Sequence, residues 1–534
     1  MTGMDDAMGA ATPTPSSTVA NATGPSVLRV TPLPYHPVAD MAAALADTMS
    51  AGGRGAMMLL HSARGGRYTM LGLHPYRRLL QVGDRVRDES LAADGRWRGE
   101  TVEGDALALL EEWLSRRSGR SSDMAAPVAL DPITDDRLPL ADGVMGFMSY
   151  DDGLRREGIR SRHTRSAIPD ASWWWFDDIL VEDMLAGTVT LISHRRIPGG
   201  EERAIEQWNS LRNGTAAGVP SVHDMMNGVN GMMPGVDHRR GDPDTNVNVA
   251  SWSSDHDRAS YCEGIRALCG HMRDGDIYVT NYSLRLHVRS LITPPVMFNR
   301  LRSDNPSPFM AYLDAGDWQI ISSSPERFLE SRGGHVVTRP IKGTRPRGRG
   351  AAEDDRLRGE LEHSFKDRSE LLMITDLERN DLSRIAVPGT VSTTGFAELE
   401  TYPHVFHLVS TVEADVSPRR TIADVLAALS PGGSITGAPK HSAMTLIDRY
   451  EHSARGAYTG SLGYIDASGD CDLSILIRMA IHQGNAAVGG AYSIGGGGGV
   501  TLDSDPDFEY DEAMQKTEAL LSALGCDTRK GWHD

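Results

Sequence analysis

The sequence predicts a fold that mixes α-helices with β-strands, and three patterns carry the prediction. Apolar residues recur at helical spacing in ALALLEEWLSRR (106–117), and a second helical pattern covers 39–49. The segment TVTLISH (188–194) is rich in β-branched residues, as strands are. From 251 to 525, helix and strand patterns alternate between tight glycine turns. Periodicity alone predicts mixed α and β structure and does not select a sheet topology.

The chain divides into five predicted segments. Residues 1–27 are rich in Ala, Thr, Pro and Ser without periodicity, which is typical of a disordered tail. A mixed amino-terminal region covers 28–212, and a Gly-, Asn- and Pro-rich linker or long surface loop covers 213–255. The carboxy-terminal region that carries the candidate chemistry spans 256–525, and a short tail follows at 526–534.

Composition excludes several classes of function. The 534 residues hold 54 Lys and Arg against 72 Asp and Glu, a net charge of −18, which argues against binding to nucleic acid or to an anionic membrane. No run approaches the roughly 18 apolar residues needed to span a bilayer, and acids replace the bases that a secretory signal needs. The four cysteines lack metal-ligand spacing. We expect a cytoplasmic protein with reduced thiols.

Lysine is rare in this chain. Five lysines occur among the 54 basic residues, and the remaining 49 are arginine. Arginine cannot be deprotonated into a nucleophile or a base, so a retained lysine marks a position where an amine could be required. For any single lysine, chance retention is the favoured explanation. The five are Lys342, Lys366, Lys440, Lys516 and Lys530.

Two pairs of acids are candidate metal ligands. Asp367 and Glu370 are three residues apart at the start of a helical pattern, and Glu509 and Glu512 repeat that spacing at another. Residues three apart share a helix face, and Mg²⁺ binds one or two carboxylates while keeping waters and a substrate anion. The alternative is ordinary enrichment of acids in first helical turns, where the helix dipole favours them.

Two further side chains lie in apolar runs. Arg478 falls within LSILIRMAI, which predicts a largely buried strand, so its guanidinium should meet a carboxylate of the protein or of a ligand. His407 lies in HVFHLVSTV on the same side as Val405 and Val409. A lone histidine in such a run is most often a satisfied core residue.

Glycine-rich segments are candidate anion sites. SIGGGGGV (493–500) lets backbone N–H groups approach an anion, or else is simply a flexible turn. PGGSITGAPK (431–440) leads into a helix that should begin near Pro439, and the start of a helix binds anions.

An amine and an acid complete the set. Lys342 lies between an apolar residue and a glycine turn in RPIKGTRPRG (339–348), and Glu326 lies in SSPERF (323–328). A desolvated lysine becomes nucleophilic, and a buried glutamate keeps its proton and becomes a general acid. A surface turn cation is the alternative for Lys342. Together these groups indicate a pocket for a small polycarboxylate.

Eight motifs, in this order, resemble those of the chorismate-utilising enzymes, and most closely component I of aminodeoxychorismate synthase. They are SSPERF, PIKGTRPRG, DLERNDLSRI, HVFHLVSTV, GSITGAPK, GAYTGSLGYID, ILIRMAI and GGGGVTLDSDPDFEYDE. The resemblance spans about 251–525 and continues more weakly upstream in MLLHS (58–62) and GVMGFMSYD (143–151). It implies an α+β fold of two large, mostly antiparallel sheets packed as a sandwich, with helices outside and the active site in a cleft.

The resemblance also separates the reactions within the family. Members that add water to chorismate carry a lysine base where this chain has Val279, so isochorismate- or salicylate-forming activity is not expected. Anthranilate synthases typically have alanine where this chain has Lys342, and aminodeoxychorismate synthases have lysine. The alternatives are anthranilate synthase component I and a non-catalytic subunit that binds chorismate or tryptophan.

The implied reaction converts chorismate and ammonia to 4-amino-4-deoxychorismate, on the route to 4-aminobenzoate and folate. By resemblance Lys342 attacks C2 of the ring while Glu326 protonates the departing C4 hydroxyl, and Mg²⁺ is held by Glu370 and Glu512 with support from Asp367 and Glu509. The residues implied to hold or line the substrate site are Arg478, Tyr458, His407, Ser434, Thr436, Gly497, Gly499 and Lys516.

Ammonia in such enzymes comes from glutamine. None of the four cysteines lies in the setting of an amidotransferase nucleophile, so the resemblance implies a separate glutamine amidotransferase subunit. The region around MLLHS resembles the place where relatives bind tryptophan, as a regulator or a structural ligand.

Overall fold

The computed structural model describes residues 28–42, 45, 56–63, 66–118, 138–213, 250–402 and 405–528. The tail predicted at 1–27 and most of the linker predicted at 213–255 lie outside the described residues. The end of that linker, however, forms a strand (Ser251–Ser254), because its backbone pairs with the neighbouring strand Val279–Ser290.

The helices alternate with the strands along the chain. A short helical segment at 38–42 begins where a helix was predicted at 39–49. The other helices are α1 (Ala106–Ser118), α2 (Tyr150–Arg156), α3 (Gly200–Arg212), α4 (Arg258–Asp274), α5 (Pro294–Asp304), α6 (Ala351–Glu362), α7 (Phe365–Ser383), α8 (Ile422–Leu429), α9 (Lys440–Tyr450), α10 (Pro506–Gln515) and α11 (Glu518–Ala523).

The first strands belong mostly to the amino-terminal region. They are β1 (Arg29–Leu33), β2 (Met57–His61), β3 (Tyr68–Val82), β4 (Arg85–Leu91), β5 (Trp97–Glu103), β6 (Gly143–Met148), β7 (Ala171–Asp183), β8 (Thr188–Ser193), β9 (Ser251–Ser254), β10 (Val279–Ser290) and β11 (Phe309–Asp314). The helix predicted at 106–117 and the strand predicted at 188–194 are confirmed as α1 and β8.

The later strands carry most of the candidate site. They are β12 (Trp318–Ser324), β13 (Arg327–Arg332), β14 (His335–Thr338), β15 (Ile341–Pro346), β16 (Ser392–Thr401), β17 (Val405–Asp415), β18 (Gly437–Ala438), β19 (Ser461–Asp466), β20 (Cys471–Ile475), β21 (Met479–Gln483) and β22 (Gly490–Val500).

Antiparallel pairing links the strands into two runs. The first run is β9-β10-β22-β21-β12-β11-β2-β3-β7-β8-β1. The second run is β5-β4-β3-β7-β6-β19-β20-β13-β14-β17, with β15 and β16 also on β17. Strands from the amino-terminal region therefore pair directly with later ones, β2 with β11 and β6 with β19.

Strands cross between the two runs at two places. The long strands β3 and β7 belong to both runs, and their register shifts between Pro75 and Arg77, where a bulge bends the pair. At the second place the strands are interrupted: β12 continues into β13 through 325–326, and β20 into β21 through 476–478. These paired interruptions place Glu326 and Arg478 at the junction of the two sheets.

Apolar side chains of the described residues form four cores. One core lies between the sheets and joins Met58 and Ile320 of the first run to Phe147 and Leu462 of the second. Two further cores lie under helices, chiefly α4, α5, α10 and α11 on the first run and α1 and α8 on the second. The fourth and smallest core packs α6 and α7 against β16 and β17. The predicted α+β fold, with antiparallel sheets inside and helices outside, is confirmed.

Three consecutive tryptophans on β7 show how both faces of a strand are covered. Trp173 and Trp175 belong to the core under α1, whereas Trp174 belongs to the core between the sheets. Successive side chains point to opposite faces of a strand, so this run is possible only where both faces are buried.

Among the described residues, no helix is long and apolar enough to cross a membrane.

Candidate active site

Glu326 occupies the interruption between β12 and β13. Its side chain is buried, and its backbone carbonyl accepts a hydrogen bond from the Ile475 N–H at 3.1 Å. Burial raises the pKa of Glu326, while the Ser434 hydroxyl, the Lys342 ammonium and the backbone N–H of Ile341 act in the opposite direction. Its Oε1 atom has no hydrogen-bond partner among the described residues. The geometry suits a carboxyl group that keeps a proton for transfer.

Lys342 lies at a bulge in β15. The register of β15 against β17 shifts between Ile341 and Thr344, and Gly343 takes a φ of +83°, which favours glycine. A Cβ atom placed on Gly499 would lie 2.9 Å from Lys342 Nζ and 3.7 Å from Glu370 Oε2. The absence of a side chain at Gly499 therefore leaves the space into which the amine and this carboxylate point.

The candidate metal acids begin the two predicted helices. Ser364 caps α7 by accepting a hydrogen bond from the Asp367 N–H, and Asp505 caps α10 in the same way. Glu370 and Glu509 are buried, and each has one carboxylate oxygen, Glu370 Oε1 and Glu509 Oε2, without a hydrogen-bond partner among the described residues. Buried carboxylate oxygens that accept no hydrogen bond are costly, and a bound cation would compensate for the missing donors.

Lys366 lies between these two acids. Its Nζ atom is 3.4 Å from Glu509 Oε1 and 3.8 Å from Glu370 Oε1, and Ser504 donates to Glu509 Oε1 at 2.7 Å. Burial raises the pKa of both Glu370 and Glu509, and the lysines nearby limit the rise. No three acids, histidines or cysteines of the described residues form a metal cluster as they stand.

The two outer acids have cationic partners. Asp367 pairs with the Arg345 guanidinium at 3.0 Å, and Glu512 pairs with Lys516 Nζ at 2.7 Å. Burial works to raise the pKa of Glu512, but Lys516 and Lys342 hold it below its ordinary value. Lys516 also donates to the Gly497 carbonyl at 2.9 Å, so it joins the acids to the glycine-rich strand.

Arg478 differs from its prediction. It lies in the interruption between β20 and β21, with a φ of +52°, rather than within one buried strand, because the chain crosses between sheets at this point. Its guanidinium donates to the Lys516 carbonyl at 3.1 Å, and no carboxylate of the described residues lies within 4.0 Å of it. Burial lowers the pKa of Arg478, while Tyr458 and Glu512 favour its charge. A half-buried cation with no carboxylate in direct contact is typical of a binding site for an anion.

Tyr458 and His407 lie close enough to Arg478 for its charge to act on both side chains. Burial raises the pKa of Tyr458 to about 12, and the Arg478 charge acts against this rise. Burial lowers the pKa of His407 to about 4, so its ring is neutral at pH 7. Thr344 Oγ1 lies 2.9 Å from His407 Nδ1, so the histidine is satisfied, as predicted for a core residue, and it also lies beside the site.

The five consecutive glycines are not a turn. They lie inside β22, paired with β10 on one side, because their lack of side chains lets neighbouring groups pack closely. A Cβ at Gly495 would lie 2.4 Å from the Tyr458 ring, and one at Gly497 would lie 2.4 Å from the Tyr282 carbonyl oxygen. The flexible turn considered for SIGGGGGV is therefore wrong.

The second glycine segment forms as expected. Ser434 lies in a 3-10 turn (Gly433–Ile435), and Pro439 is the residue directly before α9. The Thr436 hydroxyl donates to the Gly432 carbonyl at 2.9 Å and is completely buried, so it holds the turn together. Val279 is buried at the start of β10 and offers no base to this site.

The structure adds residues that the sequence patterns did not single out for the site. Lys366 bridges Glu370 and Glu509, Ser504 orients Glu509, and Thr344 contacts His407. The four-residue spacing of Lys366 and Glu370 on a helix was a readable signal. The contact between Thr344 and His407 depends on the pairing of β15 with β17, which no local pattern reveals.

A separate cavity of about 310 Å³ lies near the amino-terminal MLLHS segment. It is lined by His61, Ser62, Phe309 and Tyr464, and by none of the predicted site residues. Pro325 and Ile341, which also line it, directly precede Glu326 and Lys342 in the chain.

Comparison with known proteins agrees with these motifs. The sequence profile of the chorismate-binding enzymes matches residues 93–522. Component 1 of aminodeoxychorismate synthase from Bacillus subtilis is 32% identical over 470 residues, covering 88% of this chain and 91% of the relative. Component 1 of anthranilate synthase from Thermus thermophilus is 36% identical over 400 residues, covering 75% and 80%.

A solved structure supports the same assignment. Anthranilate synthase component I from Streptococcus pneumoniae superposes with a TM-score of 0.65 at 25% identity, over 85% of this chain and 92% of that one. The family resemblance predicted from the motifs is confirmed, and relatives of both amination reactions are similar to this chain. The chain belongs to the chorismate-binding enzyme family.

Proposed function

We propose that the protein is an aminodeoxychorismate synthase, which converts chorismate and ammonia to 4-amino-4-deoxychorismate and water. The observation that carries the proposal is the placement of the Lys342 amine beside the buried Glu326 carboxyl and the Glu370 carboxylate, in the space left by Gly499. A nucleophile and a general acid are the groups that this displacement needs. The similarity to curated aminodeoxychorismate synthases supports the same reaction.

The proposed chemistry has two steps. The Lys342 amine forms a bond to ring carbon C2 as the C4 hydroxyl leaves, and Glu326 gives its proton to that hydroxyl so that water departs. Ammonia then forms a bond at C4, the bond between C2 and Lys342 breaks, and the surplus proton returns to Glu326. Division into two displacements is the usual benefit of covalent catalysis.

Magnesium fits the acids of this site. The Glu370 and Glu509 oxygens that lack hydrogen bonds, together with Glu512 and Asp367, provide the carboxylate ligands that Mg²⁺ prefers. Bound there, the ion would neutralise a substrate carboxylate. Arg478 would hold a second carboxylate, because its half-buried guanidinium has no carboxylate of the described residues within 4.0 Å.

Ammonia requires a partner in this proposal. All four cysteines are buried, and burial raises the thiol pKa of Cys262, Cys269, Cys471 and Cys526. A thiol of raised pKa is a poor nucleophile, so none suits glutamine hydrolysis. A separate glutamine amidotransferase subunit would supply the ammonia.

The test is an incubation with chorismate, Mg²⁺ and an ammonium salt at mildly alkaline pH, with products identified by mass spectrometry. We expect a product with the mass of aminodeoxychorismate that keeps its pyruvyl group, and its loss in Lys342→Ala. Lys342→Arg keeps the positive charge but cannot supply a neutral amine, so it should be equally inactive. Without ammonia, intact-protein mass spectrometry should detect a chorismate adduct on the wild type and none on either variant.

Other products would contradict the proposal in distinct ways. Fluorescent anthranilate with released pyruvate would assign anthranilate synthase activity and reduce Lys342 to a turn residue. Binding of chorismate without any turnover, with metal and ammonia present, would indicate the non-catalytic subunit instead. Turnover of glutamine without an added partner would overturn the separate amidotransferase.

The cavity near MLLHS is the proposed tryptophan site. Its volume of about 310 Å³ and its lining of apolar rings with Arg327, Glu330 and Asp472 suit an aromatic amino acid, whose ammonium and carboxylate groups need opposite charges. Isothermal titration with tryptophan should show binding that Ser62→Tyr blocks. Equal binding by that variant would locate tryptophan elsewhere.

A further inference from the structure

Glu378 is a buried carboxylate of α7 with no role in the proposed chemistry. It is 4% exposed, and its Oε1 atom accepts a hydrogen bond from the Gly433 N–H at 2.9 Å. Its Oε2 atom accepts one from Thr338 Oγ1 at 3.3 Å. The carboxylate therefore joins two chain segments that are distant in sequence and that meet α7 at this point.

Both segments lead directly to the reacting groups. Gly433 directly precedes Ser434, and a hydrogen bond from the Ser434 hydroxyl lowers the pKa of Glu326. Thr338 is the last residue of β14, and the chain reaches Ile341 three residues later and Lys342 four residues later. The backbone N–H of Ile341 also lowers the pKa of Glu326. A displacement of either segment would move the groups around the acid.

We propose that Glu378 is a positioning residue, which holds the 432–436 turn and the β14–β15 connection together so that Ser434, Glu326 and Lys342 keep their mutual geometry. This inference rests on the proposed function. The carboxylate oxygens of Glu378 lie 2.9 Å and 3.3 Å from the two donors, so a side chain one methylene shorter on the same backbone should not reach both. The Gly433 N–H needs an acceptor, whereas the Thr338 hydroxyl can either donate or accept, so a glutamine amide could serve both groups and a negative charge is not required.

Other charged groups face Glu378. Asp381, one turn further along α7, forms an ion pair at 2.6 Å with Lys440 of α9. Glu326 also lies close enough for its charge to act on Glu378. Burial, Asp381 and Glu326 favour the protonated form of Glu378, while Lys440 and the Gly433 N–H favour the charged form. Removal of charge alone is therefore expected to be tolerated.

Four variants of the full chain separate length from charge. Glu378→Gln keeps the length and one acceptor, Glu378→Asp keeps the charge but is one methylene shorter, and Glu378→Leu removes both acceptors. Thr338→Val removes one donor while keeping the shape, and it remains informative if Glu378→Leu does not fold. Asp376→Ala, on the exposed side of the same helix with 78% of its side chain accessible, is the control.

Steady-state kinetics with chorismate, Mg²⁺ and ammonium are the assay, with circular dichroism to show that each variant is folded. We expect kcat to fall about 10- to 100-fold in Glu378→Asp and Glu378→Leu, with KM changed by less than about threefold. Glu378→Gln should keep at least about half of the wild-type kcat, Thr338→Val should lose about threefold, and Asp376→Ala should be unchanged.

Two results would overturn the inference. If Glu378→Gln were as impaired as Glu378→Leu while Glu378→Asp stayed active, the charge and not the position would matter. If every folded variant matched the wild type, Glu378 would have no influence on the site. Failure of the wild type itself to convert chorismate would refute the proposed function first, and the variants would then not be compared.

Discussion

The buried ion pair between Lys440 and Asp381 allows a quantitative stability prediction. Lys440 Nζ lies 2.6 Å from Asp381 Oδ2 and 3.3 Å from the Leu429 carbonyl, and the side chains are only 9% and 3% exposed. The pair joins α7 to the start of α9, at the end of the glycine-rich turn 431–440. Lys440→Met keeps the aliphatic volume and removes the charge.

The expected loss follows from this geometry. At an effective dielectric constant of about 20, the attraction across 2.6 Å is roughly 6 kcal/mol, and the desolvation of the two ions offsets part of it. A buried partner left without its counterion typically costs about 3–5 kcal/mol. We expect a loss in this range in the free energy of unfolding of Lys440→Met at pH 8.

The pH dependence provides a second check. Burial raises the pKa of Asp381, and Lys440 acts against that rise, so removal of the lysine should raise it further. A native carboxyl that binds its proton more tightly than the unfolded chain loses stability as pH rises. The loss in Lys440→Met should therefore be smaller at pH 5.5 than at pH 8.

Urea unfolding of the full chain, followed by tryptophan fluorescence at both pH values, measures these differences. The double variant Asp381→Asn with Lys440→Met should recover most of the loss, because no buried charge remains. Arg379→Ala, which breaks the exposed pair with Asp376, should change stability by less than about 0.5 kcal/mol. A loss below about 1 kcal/mol at pH 8, or no recovery in the double variant, would refute the reasoning.

Three further predictions concern buried groups around the site. The pKa of Glu378 is raised from 4.5 to about 7, so the free energy of unfolding of the wild type should fall between about pH 5 and 8. In urea unfolding, Glu378→Gln should depend less on pH and should be more stable than the wild type by up to about 3 kcal/mol at pH 8. Gly497→Ala should lower stability by about 1–3 kcal/mol in thermal unfolding, because its Cβ would meet the Tyr282 carbonyl oxygen at 2.4 Å. Gly498→Ala should cost less, because the atoms nearest to its Cβ are the ends of the Lys516 and Glu509 side chains, at 3.3 and 3.4 Å. Arg478→Met should raise the KM for chorismate at least about tenfold in the product assay, since a charged hydrogen bond to a carboxylate is lost, and an unchanged KM would remove Arg478 from the substrate site.

Local chemistry was readable from the sequence. The spacing of Asp367 and Glu370 placed both acids in the first turns of a helix, and α7 begins at Phe365 behind its Ser364 cap. The helix that carries Glu509 and Glu512 begins in the same way behind Asp505. Capping and side-chain periodicity depend on neighbours a few residues apart, so the linear chain contains the information.

The glycine-rich strand could not be predicted from its own residues. Five consecutive glycines have no side-chain pattern, and their flexibility is typical of a turn. Pairing of β22 with β10 along Gly490–Val500 and close packing against Tyr458 select the extended form, and both partners are far away in the sequence.

The meeting of the candidate catalytic groups was also decided only by the tertiary structure. The motifs identified Glu326, Lys342 and Arg478 as candidates, but not that two sheets join where β12 and β20 are interrupted. That junction turns Glu326 and Arg478 out of the strand pattern, and a bulge in β15 directs Lys342 toward Glu370. The sequence thus determined which chemical groups and which helices the protein has. Sheet pairing over long separations brought those groups together at one candidate site, because burial and charge partners exist only after the chain has folded.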